Sequence, residues 1–275
     1  MHLVVAILLG IIEGVTEFLP ISSTGHLIVA EHLLGFKDVQ DLFTVVIQVG
    51  AIFSVIWFYR TDLLAKIVGL FRRETEALNF WKLLIVATIP AGLIGLALDK
   101  SMQSITTPLV VALALIVGGI ILWVVDRKPV QRPRRGSSVV ESPDFASIPL
   151  KNALLIGLGQ SVAIIPGISR SGATIVTGLA TGLNRTTATA FSFYLSIPVL
   201  VLASGFKLAK YGDHLGQIPG GSAALILGLI SAFITALLSV SWLLRYIAGH
   251  NFKMFAYYRI VLGALILLLL ATNVL

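Results

Sequence analysis

Apolar residues along the 275-residue chain gather in long runs rather than in the period-two alternation of barrel strands. Runs of about 15–25 positions predict helices that cross a bilayer. Six stretches are long enough for full spans, at 42–59, 83–98, 108–126, 190–208, 222–246 and 255–275. Two further apolar stretches, 1–35 and 150–185, are interrupted midway by Pro20-Ile-Ser-Ser-Thr-Gly25 and Pro166-Gly-Ile-Ser-Arg-Ser-Gly172. Each half is then about 10–18 residues, at or below the ~20 needed to cross. Irregular backbone at membrane depth is tolerated only where protein or a water-filled cavity covers it. Both stretches therefore predict re-entrant helical hairpins with tips inside the bilayer.

The two interruptions are copies of each other. Glu13-Gly-Val-Thr-Glu17-Phe-Leu-Pro20-Ile-Ser22-Ser23-Thr24-Gly25-His26 aligns without a gap on Gln160-Ser-Val-Ala-Ile-Ile-Pro166-Gly-Ile-Ser169-Arg170-Ser171-Gly172-Ala173, at an offset of 147. Ile21, Ser22 and Gly25 fall on Ile168, Ser169 and Gly172, and Gly10 falls on Gly157.

Lysine and arginine placement sets the orientation. The stretches 60–82 and 127–149 carry Arg60, Lys66, Arg72, Arg73, Lys82 and Arg127, Lys128, Arg132, Arg134, Arg135. Both predict cytoplasmic loops, with the 99–107 turn outside. The first hairpin then enters from the outer face and the second from the cytoplasm. Each half, 1–126 and 150–275, is a hairpin plus three spans, joined by a basic cytoplasmic linker at 127–149. Three is odd, so the second half is inverted. The predicted fold class is thus an all-α polytopic membrane protein built as an inverted repeat, an architecture that places sites at the repeat interface.

Composition agrees. The chain is 57% hydrophobic and 12% charged, with a mean hydropathy of +0.96, where soluble domains carry about 25% charged residues. Residues 1–10 lack a basic n-region and a small-residue cleavage site, and so do not read as a cleaved signal peptide. No cysteine is present, which removes disulfides, thiol nucleophiles and thiolate metal sites. The net charge of +7 resides in the two basic loops and reads as membrane topology, not as nucleic-acid binding.

Carboxylates, a histidine and an arginine in apolar surroundings mark function by default. Pro20 ends one helix, and Ser22 or Ser23 can cap the next, running from about Thr24 to Leu34. The amides of Ser23, Thr24 and Gly25 then point at the tip. In the second copy Ser169 or Ser171 caps a helix starting near Gly172. Two facing helix N-termini favour an anion, and Arg170 adds a fork suited to phosphate. Ser23 and His26 lie on one helical face, the pairing that nucleophilic or acid–base phosphate chemistry needs. Glu13 and Glu17 also share a face, and can share a proton or hold a divalent cation. His2, His32, His214 and His250 read as interfacial or loop residues, and Asp126 beside Arg127 as an interface pair.

These motifs resemble the two signatures of the bacterial undecaprenyl-diphosphate phosphatase family of the bacitracin-resistance type. The similarity continues in Val45-Val-Ile-Gln-Val-Gly-Ala-Ile52, Phe191-Ser-Phe-Tyr-Leu-Ser-Ile-Pro198 and Tyr258-Arg-Ile260. The resemblance implies hydrolysis of undecaprenyl diphosphate to the monophosphate in the bacterial inner membrane, dependent on a divalent cation (Mg2+ or Ca2+), and it leaves a homodimer open. It assigns catalysis to Ser23, His26, Glu17 and Arg170, and diphosphate binding to Ser22, Thr24, Gly25, Ser169, Ser171 and Gly172. The metal falls to Glu13 and Glu17. Ser23 is expected to attack with His26 as base, although His26 as nucleophile also fits, and the orientation set by the basic loops predicts a site reached from the periplasm. A phosphatidic-acid-type phosphatase is set aside, because Ser-Thr-Gly-His lacks the partner motifs of that superfamily. A transporter or flippase of lipid phosphates is the alternative; it needs the anion site but not the Ser/His pair.

Overall fold

A computed structural model describes residues 2–127, 143–272 and 274, with the backbone alone for 99–105. The linker expected at 127–149 lies mostly outside the described residues. Among those described, every regular element is helical. In chain order the helices are α1 (His2–Thr16), α2 (Ser23–Leu34), α3 (Leu42–Phe58), α4 (Arg60–Phe71), α5 (Thr75–Ile105) and α6 (Pro108–Val125). They continue with α7 (Leu150–Ser161), α8 (Arg170–Ala180), α9 (Arg185–Tyr211), α10 (Gly221–Ile247) and α11 (Lys253–Ala271).

Among the described residues six segments, built on α3, α5, α6, α9, α10 and α11, are long and apolar enough to cross a membrane. They match the six predicted spans, with α5 and α9 running well beyond them. The short turn expected at 99–107 is mostly the last part of α5, and the basic stretch 60–82 holds α4 and the start of α5. The α4 helix exposes Leu64, Ile67, Val68 and Phe71 on one stripe, at the i, i+3, i+4, i+7 spacing of an amphipathic helix.

The four helices of the two interrupted stretches have 15, 12, 12 and 11 residues. At 1.5 Å per residue none reaches the ~30 Å of a hydrocarbon core. Small residues let them approach their neighbours closely. α1 runs parallel to α10, where a Cβ on Gly10 would collide with the Gly228 carbonyl. α7 runs parallel to α5, where a Cβ on Gly157 would collide with the Ala87 carbonyl. Each interrupted stretch therefore packs on a span of the other half, so neither half is a separate body. The turns between these short helices are not peripheral. Phe18, Leu19 and Ile21 of the first lie in one apolar core with Leu83, Ala87, Ile156, Phe191, Phe193 and Val240.

Ends of helices meet through polar contacts. Asp126, just past α6, pairs with Arg185 at the start of α9 (Oδ1–Nη2 2.6 Å) and accepts from the Phe252 amide before α11 (2.5 Å). The expected partner, Arg127, lies instead over the Trp123 ring. A buried carboxylate needs a desolvated cation and a donor together, which the tertiary neighbours supply and the exposed sequence neighbour does not. At other helix ends, Lys207 pairs with Asp41 (2.6 Å), and His32 bonds to the Val274 carbonyl (2.8 Å).

Candidate active site

The turn 17–22 and the turn 162–169 end in the same way. Ser22 (φ 69°) and Ser169 (φ 71°) both adopt a positive φ, which a serine tolerates only under constraint. Each then caps the helix that follows: the Gly25 amide donates to Ser22 Oγ (3.4 Å), and the Gly172 amide to Ser169 Oγ (3.1 Å). The caps are thus Ser22 and Ser169, and α2 and α8 begin at Ser23 and Arg170, 147 positions apart. Repeated sequence has produced repeated strained backbone.

The turns touch. Ser171 Oγ donates to the Leu19 carbonyl (2.9 Å) and lies 3.1 Å from Ser169 Oγ. Across the contact, Arg170 Nη2 pairs with Glu17 Oε1 at 3.0 Å, while Nη1 donates to the Ser192 carbonyl (3.0 Å). Ser23 donates from Oγ to the second oxygen of Glu17 at 2.7 Å. The hydroxyl, the carboxylate and the guanidinium therefore form one chain across both copies of the motif. A carboxylate accepting the serine proton is the arrangement that raises serine nucleophilicity.

His26 stands apart from this chain. Its Nδ1 donates to the Ser22 carbonyl (2.7 Å), and Nε2 meets the Tyr258 hydroxyl (2.7 Å), with the rings stacked at 5.6 Å. In the neutral ring these partners make Nε2 the acceptor. No hydrogen bond joins His26 to Ser23, so the direct Ser/His pair expected from helical spacing is replaced by Ser23–Glu17 and His26–Tyr258.

The remaining predicted residues divide. Thr24 is exposed at the first turn of α2. The Gly25 and Gly172 amides are taken by their serine caps. A Cβ on Gly25 would lie 3.1 Å from Leu115, and one on Gly172 would lie 2.8 Å from Arg259 Nη1, so both glycines serve close packing. Glu13 is buried, and among the described residues both of its carboxylate oxygens lack a hydrogen-bond partner, as does the buried Nε of Arg170. Such atoms are costly unless a ligand satisfies them. The oxygens of Glu13, one helical turn before Glu17 (Glu17 N–H to the Glu13 carbonyl, 2.8 Å), suit a hard divalent cation, and the Arg170 N–H suits a phosphate oxygen. Among the described residues no three His, Asp or Glu side chains gather at one point. A cation here would take further oxygens from hydroxyls, water and phosphate, as Mg2+ commonly does.

Two site residues lay outside the sequence expectation, Tyr258 and Arg259, both from α11. Ser192 is a third: it supplies a carbonyl to Arg170 and a hydroxyl 2.7 Å from Thr174 Oγ1. The tripeptide at 258–260 marked similarity without suggesting a role.

Residues 6–265 match the family described as "Bacitracin resistance protein BacA". Curated relatives are similar over nearly their whole length. Undecaprenyl-diphosphatase 1 of Burkholderia thailandensis (strain E264) is 47% identical over 266 residues, 96% of this chain and 94% of the relative. Undecaprenyl-diphosphatase 1 of Paraburkholderia xenovorans (strain LB400) is 46% identical over 266 residues, 96% and 93% of the two chains. Undecaprenyl-diphosphatase of Acinetobacter baumannii (strain ATCC 17978) is 44% identical over 265 residues, 96% and 94%.

Proposed function

The chain belongs to the bacitracin resistance protein BacA family, and from that premise we propose that it hydrolyses undecaprenyl diphosphate to undecaprenyl phosphate and inorganic phosphate. This reaction returns the lipid carrier for envelope synthesis and gives resistance to bacitracin. The observation that carries the reading is the Ser23–Glu17–Arg170 chain across the two turns. A transporter of the same lipids needs an anion site but has no use for a serine whose proton is held by a carboxylate.

In the reaction, Ser23 Oγ attacks the terminal phosphorus while Glu17 accepts its proton. The bond from that phosphorus to the bridging oxygen breaks, and undecaprenyl phosphate leaves. Water then cleaves the phosphoserine, releasing phosphate and returning the proton to Ser23. Arg170 holds Glu17 and offers its spare Nε–H to the phosphoryl oxygens. Such catalysis is mostly positioning and charge stabilisation of a loose transition state. His26, held by Ser22 and Tyr258, shuttles protons during phosphoserine hydrolysis. Glu13, with Glu17 beside it, would hold a divalent cation, which would supply positive charge against the diphosphate.

The re-entrant, inverted architecture belongs to the same proposal. It is supported by which helix ends meet: Asp126, Arg185 and Phe252 cluster with one another, and Asn152 near the start of α7 bonds to the Thr181 carbonyl just past α8 (3.2 Å). The ends of the first hairpin instead lie with the close of α11 (His32–Val274) and with the start of α10, where a Cβ on Gly220 would lie 3.2 Å from that of His2. With the basic stretches cytoplasmic, the first hairpin opens to the periplasm and the site is reached from there, in the inner membrane. Substrate labelled in its terminal phosphate tests the chemistry. Transient label on Ser23, absent in Ser23→Ala, is expected, and label on His26 instead would transfer the nucleophile's role to that residue.

A further inference from the structure

Among the described residues Arg259 is the largest fully buried side chain, 1% exposed, and every hydrogen bond it makes there is to a backbone carbonyl. Nη1 reaches the Pro20 carbonyl of the first turn (3.3 Å). Nη2 reaches the Gly167 and Ile168 carbonyls of the second turn (3.2 and 2.8 Å), and Ala114 of α6 (3.3 Å). Nε faces the Leu115 carbonyl (3.4 Å). Glycines make the room: a Cβ on Gly118 would collide with Nη2, and one on Gly172 would come within 2.8 Å of Nη1.

Two consequences follow from this placement. A guanidinium is a rigid fork of five donors, so one side chain on α11 fixes both turns against each other. In a planar trans peptide the next N–H points opposite to the carbonyl. Holding the Ile168 carbonyl therefore aims the Ser169 amide away from Arg259. The second consequence is electrostatic: no ion pair to Arg259 forms among the described residues, and a buried cation without a counter-charge attracts an anion. The repeat supplies this residue once, since the position 147 before it is Ala112.

We propose that Arg259 is a positioning residue of the diphosphate site: it holds the turns bearing Ser22–Ser23 and Ser169–Arg170 in one geometry, and its uncompensated charge adds to the field that draws the diphosphate in. The proposal rests on the phosphatase reading. Neither Tyr258 nor a lysine at 259 reproduces it, because a lysine keeps the charge but loses the fork.

Purified Arg259→Lys, Arg259→Gln and Gly118→Ala are compared with wild type in phosphate release, in affinity for inorganic phosphate by titration calorimetry, and in thermal unfolding. For Arg259→Lys, kcat falls about 100-fold, as misplacement of reacting groups by an ångström costs, with phosphate affinity within about threefold. For Arg259→Gln, which keeps donors but no charge, phosphate affinity also drops about tenfold. Gly118→Ala leaves Arg259 in place but displaces its guanidinium, and so lowers kcat about tenfold even if the other two variants fold poorly. Folded Arg259→Lys and Gly118→Ala with kcat within about threefold of wild type would overturn the positioning role. Losses that track only the unfolded fraction, with kcat and phosphate affinity of the folded protein unchanged, would overturn the whole proposal. Wild type that binds phosphate but releases none would instead refute the phosphatase reading, and the Arg259→Gln affinity would then decide the charge effect alone.

Discussion

Glu17→Gln is the sharpest perturbation of the site, because the two oxygens of Glu17 serve two donors: Ser23 Oγ at 2.7 Å and Arg170 Nη2 at 3.0 Å. The replacement amide has one acceptor and one donor end. Arg170 can only donate, so the amide oxygen turns to Arg170 and the NH2 faces Ser23, whose hydroxyl can rotate to accept. Hydrogen bonds survive in number, but the charge pair does not. The side chains of Arg170 and Glu17 are only 11% and 5% exposed. Removing one partner of a buried pair costs about 3–5 kcal/mol, and the retained amide contact reduces that to roughly 2–3 kcal/mol. The effect on rate is larger relative to what the fold can absorb. With no group to accept the Ser23 proton, kcat falls about 10²–10⁴-fold, the range of a lost general base. Phosphate release by detergent-purified protein, read beside thermal unfolding of the same sample, separates the two effects. A folded Glu17→Gln variant with kcat within about threefold of wild type would refute the assignment of Glu17 as base.

Other outcomes follow from the same geometry. Tyr258→Phe removes the hydroxyl on His26 Nε2 and should lower kcat about three- to tenfold while altering its pH profile, measured by phosphate release from pH 5 to 9. Asp126→Asn leaves Arg185 and the Phe252 amide without their carboxylate; unfolding free energy should drop by about 3–5 kcal/mol, with kcat of the folded fraction unchanged. Because the chain has no cysteine, single replacements report topology directly. Thr107→Cys and Gly216→Cys should react with an impermeant thiol reagent from outside intact cells, and Arg73→Cys and His250→Cys only after lysis. Labelling of Gly216→Cys on the opposite side from Thr107→Cys would contradict the inverted arrangement.

Much of the fold was legible because membrane helices announce themselves by continuous apolar runs, and Pro20 and Pro166 mark where two of those runs break. The same local chemistry limited the caps to Ser22 or Ser23 and to Ser169 or Ser171, and the structure selects Ser22 and Ser169. The α4 helix was hidden because Arg60, Asp62 and Lys66 interrupt the apolar run, although the stripe of Leu64, Ile67, Val68 and Phe71 carries the signal. What was not legible is tertiary. Spacing put Ser23 and His26 on one face, but the turn brings Glu17 back to Ser23, and α11 brings Tyr258 to His26 across 232 positions. Likewise Arg185 displaces Arg127 as the partner of Asp126. Arg259 gave no local sign, since all its partners are backbone carbonyls from three distant segments.

In the proposed mechanism the two copies of the motif form one hydrolytic site. This is tested most directly by phosphate release from undecaprenyl diphosphate by wild type, Ser23→Ala, His26→Ala and Arg170→Ala, each with and without chelator. Wild type should release phosphate in a reaction that the chelator abolishes, with release lost in all three variants, including Arg170→Ala from the second copy. Folded Arg170→Ala that hydrolyses at the wild-type rate would show that the first copy acts alone and would contradict the shared site.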